Sequence, residues 1–403
     1  MTPGETIDVP SHVPPELVWN HEPAAFAAAF EDPFVGISEL HKGPDLIYAQ
    51  HPQIKPGVWL PTRFAIINDI FMDAARFSSV NNIAIGPLLD VDWRLNPVDF
   101  DPPEHMRYRQ ILQPYFQPSA INRYDDHLRE VARELIDRFA SRGSCEFVSE
   151  FSNLFPTYFF LDLLGMPRDM LPQFLEWSEA YVRGETLEAK AFGARAILKY
   201  IETYVKDRRS DQRDDLVSGI LNAEIDGRPL DHGEVIGMIM LVYFGGLETV
   251  VSSLGWYFQH LATHPELQAR LRNNQADIPG AVNDYIRAYG VVGTRRLVTA
   301  DVQFHGVELK KGDMIMVPGF LASRDDRQFA DPHVIDPDRN ARHVSFATGV
   351  HNCLGAHLAR REITIAFEEF LSRFANIRIA EGGGFKWTTA GVWAVTKLDL
   401  TWD

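Results

Sequence analysis

The chain has 403 residues with 39 Lys or Arg against 55 Asp or Glu, a formal net charge of −16, which excludes nucleic acid or an anionic membrane as the main partner. At 45% hydrophobic and 23% charged it reads as an ordinary globular protein, long enough to bury about three quarters of its unfolded surface and enclose an interior ligand. Two cysteines far apart, Cys145 and Cys353, exclude a disulfide framework, and the acidic, proline-rich start MTPGETIDVPSHVPPELV has no apolar signal core, so a cytoplasmic protein is expected.

In chain order, residues 1–22 are expected to form a loose arm before one domain spanning 23–403, because no repeat or low-complexity linker divides the remainder. A short β-rich stretch follows, with DLIYAQ and VWLPT as strands and RFAIINDIFMDAARF as a helix. From 120 to 275 apolar residues recur every three or four positions, as in DDHLREVARELIDRFASRG, which ends in glycine, and FGARAILKYIETYVKDRR. Residues 231–264 read as one long helix opened by a capping box, Asp231 with Glu234. Apolar residues surround it, so it is expected to be buried, and its longest apolar run is shorter than the roughly 20 residues of a membrane span. Strand signals return in VQFHGVELKKGDMIMVPG, where Lys310-Lys311-Gly312-Asp313 is expected to turn a hairpin. The last strong helix starts just after Cys353. The sum is a mainly α protein with a minor β portion.

Two places do not suit plain core. Inside the long helix, Gly245-Gly246 costs up to about 1 kcal/mol per residue against alanine, and Glu248-Thr249 follows at once. The glycines could serve close packing and Glu248 could escape to solvent, or the group could be functional. The second place is SFATGVHNCLGAHLARRE, where Cys353 stands at the start of a helix. Unpaired backbone N–H groups and the macrodipole there favour a thiolate. A buried structural cysteine, a nucleophile served by His351, and a metal ligand are the three readings.

Phe346, Gly349, His351, Cys353 and Gly355 stand in the order F-x-x-G-x-H-x-C-x-G, which resembles the haem-binding loop of the cytochrome P450 monooxygenases, most closely the bacterial camphor-hydroxylase-like members. The resemblance implies a single-domain triangular prism. Haem b (iron protoporphyrin IX) would lie between the long central helix and the helix after the cysteine loop, with the Cys353 thiolate as axial iron ligand. Ala347 stands where the family usually has a second glycine. The long-helix group resembles the family's oxygen-activation segment, G-G-x-[D/E]-T. That implies a groove at Gly245, a hydrogen bond from Thr249 to dioxygen on the iron, and a proton relay through Glu248. DPPEHMRYRQIL matches the family's propionate-binding helix start, so His105 and Arg109, with Arg296 and His351, are expected to meet the haem carboxylates. The E-x-x-R signature is replaced by Asp284-x-x-Arg287, completed by Arg339 as a structural triad.

By the same resemblance, substrate would lie against Trp93, Phe244, Val291, Gly293, Val392 and Trp393, with Ile83, Ile85 and Leu88 nearby. These are mostly apolar and include no charged anchor, and Trp93 stands where the camphor enzyme has a hydrogen-bonding tyrosine. A small hydrophobic substrate of terpenoid or norisoprenoid size, other than camphor, is expected. No G-x-G-x-x-G follows a strand, so electrons must come from outside, and the resemblance implies a [2Fe–2S] ferredoxin with its NAD(P)H-dependent reductase as the donor. The ferredoxin is expected to dock on the cysteine side over Arg63, Arg109 and Arg342. Two other readings compete: a haem protein of the same fold that binds or senses ligand with little turnover, and a haem-free cysteine enzyme.

Overall fold

The computed structural model describes residues 9 to 403 apart from 81 and 84. The capping box at Asp231 forms: its carboxylate accepts from the Glu234 N–H at 2.8 Å, and the Glu234 carboxylate accepts from the Asp231 N–H at 2.7 Å. From there one helix runs unbroken over His232–Thr263. Met238, Ile239 and Met240, three successive positions, are all 0% exposed, so no broad face is left for water. As a whole this helix is long and apolar enough to cross a membrane, contrary to the estimate from its longest apolar run, but the core takes up most of its surface.

The β portion is mainly one six-stranded sheet in the order Val18–Trp19, Leu46–Ala49, Val58–Pro61, Met314–Pro318, Gly293–Val298, Phe77–Ser78. Leu46–Ala49 and Val58–Pro61 are the two strands expected from DLIYAQ and VWLPT, and the helix Phe64–Met72 follows them. The arm expected over 1–22 is not loose from residue 9 onward. Val18 and Trp19 pair with Tyr48 and Ala49, Val13 is buried, and His12 bonds to Asp313 at 2.9 Å. Val9, Val13, Leu17, Val18 and Trp19 pack on the core, and this burial outweighs the segment's prolines.

The expected hairpin is also displaced. Val302–Phe304 pairs with Val307–Leu309 through His305-Gly306, both at positive φ (47° and 82°), the geometry a two-residue hairpin turn demands. Lys310–Asp313 does turn the chain, but the strand beyond it, Met314–Pro318, pairs with Gly293–Val298 instead.

Helix Asp125–Asp137 runs on through a short 3₁₀ turn to Gly143, at φ 70°, as its glycine predicted. It packs on the helix after the cysteine, Ala356–Arg373, where Arg133 holds Glu369 at 2.8 and 2.9 Å and Arg361 holds Asp125 at 2.6 Å. Helix Ile278–Ala288 carries Asp284 and Arg287, which are 1% and 0% exposed. They pair directly: Nη2 of Arg287 lies 3.0 Å from Asp284, and its other N–H groups reach the carbonyls of Ser323, Pro332 and Val334 at 2.8 to 3.1 Å. Arg339 completes the group at 3.1 Å from Asp284, which also accepts from the Asp336 N–H at 2.8 Å. The shorter carboxylate thus keeps every donor satisfied, and it ties the segment before the cysteine loop to the core.

Candidate active site

The cysteine loop is shaped by backbone bonds. The Cys353 N–H donates to the Phe346 carbonyl at 2.8 Å, and the Asn352 amide reaches the carbonyls of Phe346 and Ala347 at 3.3 and 3.1 Å. Gly349 sits at φ 70°, and a Cβ there would lie 2.7 Å from the Phe71 carbonyl oxygen, so both conformation and space require glycine. Ala347 also has positive φ, 55°. Cys353 keeps accessible surface, yet burial is the strongest influence on its thiol. Both follow from a sulfur that opens onto an interior space rather than bulk water.

The N–H groups of Gly355 and Ala356, with Arg109 and Arg360, pull the thiol pKa down as expected at a helix start, but desolvation outweighs them and the net direction is up. A cation bonded to sulfur, rather than the helix end alone, is what would hold the thiolate here. Arg360, which the sequence reading passed over, lies 4.6 Å from the centre of the Phe346 ring.

Four other predicted residues converge beside the loop. The rings of His105 and His351 are 4.3 Å apart, and His105 Nδ1 and His351 Nε2 are buried without a hydrogen-bond partner. Burial comes first in pushing His105 down to about 4 and His351 to about 3, and positive neighbours add to it. Arg296, 4% exposed, is drawn down to about 10 by burial. Among the described residues it donates only to the neighbouring Arg295 carbonyl at 2.7 Å, while Arg109 reaches the Val350 carbonyl at 3.3 Å. Nearby on the strand of Arg296, the Thr294 hydroxyl is buried without a partner. Sequence reasoning missed it, although it stands two residues from Arg296 and so on the same strand face. Asp101 is within electrostatic reach of His105 and Arg296 but bonds to Ser78 and Ser79, so this is a buried cluster of donors with no anion paired to it among the described residues.

On the long helix the two glycines do different work. A Cβ on Gly245 would meet nothing within 4 Å, whereas one on Gly246 would fall 2.1 Å from the Phe160 ring. One glycine faces open space and the other serves close packing. One turn on, the Thr249 hydroxyl donates to the Gly245 carbonyl at 3.1 Å and so lies at the edge of that space. Glu248 does not escape to solvent. It pairs with Arg183 of helix Leu171–Arg183 at 3.0 Å, with the side chains 13% and 14% exposed. Burial raises the Glu248 pKa, opposed in part by Arg183.

A family model described as cytochrome P450 matches residues 146–382, more than half the chain. The chain is 31% identical to a probable cytochrome P450 127A1 of Sinorhizobium fredii, over 99% of this chain and 98% of that one. The chain belongs to the cytochrome P450 family. It is also 31% identical to the mycinamicin IV hydroxylase/epoxidase of Micromonospora griseorubida, over 80% of this chain and 83% of that one. Among solved structures it resembles cytochrome P450 CYP101C1 with TM-score 0.88 and 29% identity, covering 98% of this chain and all of the other. CYP101J2 follows at TM-score 0.85 and 28% identity, covering 98% and 100%. The expected P450 fold is therefore the observed one, and the chain is a P450 monooxygenase whose cofactor is haem b. The residues fit that group: an interior thiol stands beside a donor cluster with no anion bonded to it among the described residues, and haem b brings an iron and two carboxylates.

The expected substrate contacts divide. Phe244, next to Gly245, is half-buried with its ring centre 4.5 Å from that of Tyr181 and tilted to it, and Val392 is also half-buried. Trp93 instead packs on Gly233 in the first turn of the long helix, about 18 Å along the axis from Gly245 at about 1.5 Å per residue. Trp393 is 2% exposed and lies flat on Phe320 at 4.3 Å, so it is core. Gly293 lies on the opposite face from Arg296, because side chains alternate along Gly293–Val298; Val291, just before that strand, is 6% exposed core. A one-residue slip in the sequence reading exchanged the faces, and Thr294 takes the place given to Gly293. Ile85 is 1% exposed, while Ile83 and Leu88 are half-buried.

The expected docking patch is also corrected. Arg63 is 5% exposed and held by Asp325 and Asp326, each at 2.7 Å, so it is a structural ion pair. Arg342 is exposed and Arg109 half-buried.

Proposed function

We propose that this P450 hydroxylates a small hydrophobic substrate of terpenoid or norisoprenoid size, other than camphor, at the open space beside Gly245. Cys353 would hold the haem iron, and His105, Arg109, Arg296 and His351 would bind its carboxylates. Thiolate-ligated haem supplies the activation of dioxygen for insertion of one oxygen atom into a C–H bond. Thr249 holds a hydroxyl at the edge of the groove, where it can pass a proton inward. Glu248 can carry that proton from the Arg183 side, since its burial disfavours the charged form. Phe244 and Val392 would exclude water and press on the substrate.

Electrons would come from a [2Fe–2S] ferredoxin and its NAD(P)H-dependent reductase, docking on the cysteine side around Arg342 and the edge of Arg109. Met72 supports that placing, being 57% exposed and in contact with the Gly349 turn. The protein would work in the cytoplasm as one domain that includes the strand Val18–Trp19.

The observation that carries the reading is the Gly245 space with Thr249 bonded at its rim. A haem protein that only binds or senses ligand has no use for that hydroxyl. The test starts from the spectrum of reduced protein under carbon monoxide, which should carry the thiolate-ligated Soret band. Thr249→Ala should then bind substrate normally while diverting most electrons to peroxide. Unchanged coupling of electrons to product would overturn the role of Thr249, and a missing Soret band the whole reading.

A further inference from the structure

The long helix opens along one stripe. Its residues 234 to 240 and 250 to 258 are all buried, while Leu241, Phe244, Gly245, Glu248 and Thr249 between them keep accessible surface. Their spacing of three and four residues puts them on one face, so an interior space runs along it. On that face Leu241 and Phe244 offer no polar group, the Thr249 hydroxyl already donates to the Gly245 carbonyl, and Arg183 holds the Glu248 carboxylate.

Tyr181 stands against this face. It lies in the last turn of helix Leu171–Arg183, two residues before the arginine that holds Glu248. Its ring centre is 4.5 Å from that of Phe244, with 31° between the planes. A Cβ on Gly391 would lie 2.9 Å from the carbonyl oxygen of the next residue, Val182, so the turn that carries Val392 also comes up to Tyr181. A Cβ on Gly193 of helix Leu187–Arg208 would lie 2.6 Å from the Tyr181 nitrogen; the two helices touch through their backbones and fix the turn that carries the phenol. The residue is half-buried, and its hydroxyl makes no hydrogen bond among the described residues, although a buried phenol ordinarily finds a partner. Asp99 is within electrostatic reach, but its oxygens accept from the Ile83 and Leu95 N–H groups at 3.2 and 3.4 Å. Burial comes first in pushing the phenol up to about 12, so it stays a neutral donor at working pH.

We propose that the Tyr181 hydroxyl donates a hydrogen bond to a carbonyl oxygen of the substrate, so that this P450 takes small cyclic ketones and holds the carbonyl end beside Phe244. The inference rests on the proposed function and sharpens its substrate class. A phenol has one hydrogen to give, and a carbonyl oxygen accepts it without bringing another; an alcohol would bring a further hydrogen to satisfy. Trp93, at the place of the camphor enzyme's tyrosine, cannot supply this bond, because it packs on Gly233, roughly three turns of helix from Gly245. The oxygen is anchored from another element instead, and the carbon skeleton lies along Phe244 toward Gly245.

The test uses the haem-loaded enzyme and probes on one carbon skeleton: a monocyclic C10 ketone, the corresponding alcohol and the parent hydrocarbon. Binding is measured by calorimetry in the unaltered enzyme and in Tyr181→Phe, which keeps the ring and removes the hydroxyl. Ketone affinity should fall about three- to tenfold in the variant, the worth of one neutral hydrogen bond, while hydrocarbon affinity stays within about twofold. The carbonyl stretch of the bound ketone, read by infrared difference spectroscopy, should lie lower in the unaltered enzyme than in Tyr181→Phe. Equal losses for ketone and hydrocarbon would reveal a packing role and overturn the proposal. So would an unchanged ketone affinity, a loss confined to the alcohol, or a ketone that does not bind at all. The reduced carbon monoxide spectrum, taken on the same samples, reports separately on the proposed function: a thiolate Soret band with no ketone-specific loss sinks the hydrogen bond alone.

Discussion

Ala347 adopts a left-handed conformation, φ 55°, at the position where P450s usually place a glycine. An L-residue there carries about 1–2 kcal/mol of strain, which glycine would relieve. Ala347→Gly should therefore raise stability by about 1 kcal/mol in chemical denaturation, less whatever the extra freedom of glycine in the unfolded chain takes back. A loss of stability would mean that the alanine methyl makes a contact worth more than the strain. Single residues also show how thin the margin of sequence reading is. Cys353, His105 and His351 were legible because a long motif or a four-residue helical step names them. Thr294 was not, because a lone threonine carries no motif, and only the alternation of the strand places its hydroxyl on the face of Arg296.

At the scale of the element, the long helix shows two neighbouring glycines with opposite demands. Gly246→Ala should cost about 1–3 kcal/mol, since its Cβ would run into the Phe160 ring. Gly245→Ala should leave thermal stability equal or up to about 1 kcal/mol higher, because alanine suits a helix better, while weakening ligand binding in the groove. If the two variants behaved alike in stability, the assignment of one to packing and the other to space would fall. Helix Ile278–Ala288 gives a third case. Asp284→Ala would strand Arg287 inside the protein, and a loss of about 3–5 kcal/mol is expected, read from the denaturation midpoint. The helices were foreseeable from their 3.6-residue periodicity. The hairpin was not, because Lys-Lys-Gly-Asp and His-Gly both read as turns, and only pairing partners far away in sequence decide between them.

For the molecule as a whole, net charge sets the problem of finding an electron donor. An acidic ferredoxin approaching a chain of net charge −16 needs a local positive face, and Arg342 is the exposed charge left once Arg63 is found in its ion pair. Arg342→Glu should slow first-electron transfer severalfold at low ionic strength, with the gap closing as salt is added, and should leave substrate affinity alone. A reduction rate indifferent to the change would place the docking face elsewhere.

Hydrophobic periodicity and a few long motifs pointed by themselves to a mainly α chain of the P450 family, and to Cys353, Thr249 and the donors around His105 as candidates for its centre. Those features depend on residues close in sequence, or on chemistry so demanding that few residue types can supply it. The tertiary structure decided which way Glu248 turns, which glycine faces space, that residues 9–22 are packed, and that Thr294 shares the face of Arg296. Each of these is set by what stands opposite in space, and a partner dozens or hundreds of residues away leaves no mark in the local pattern.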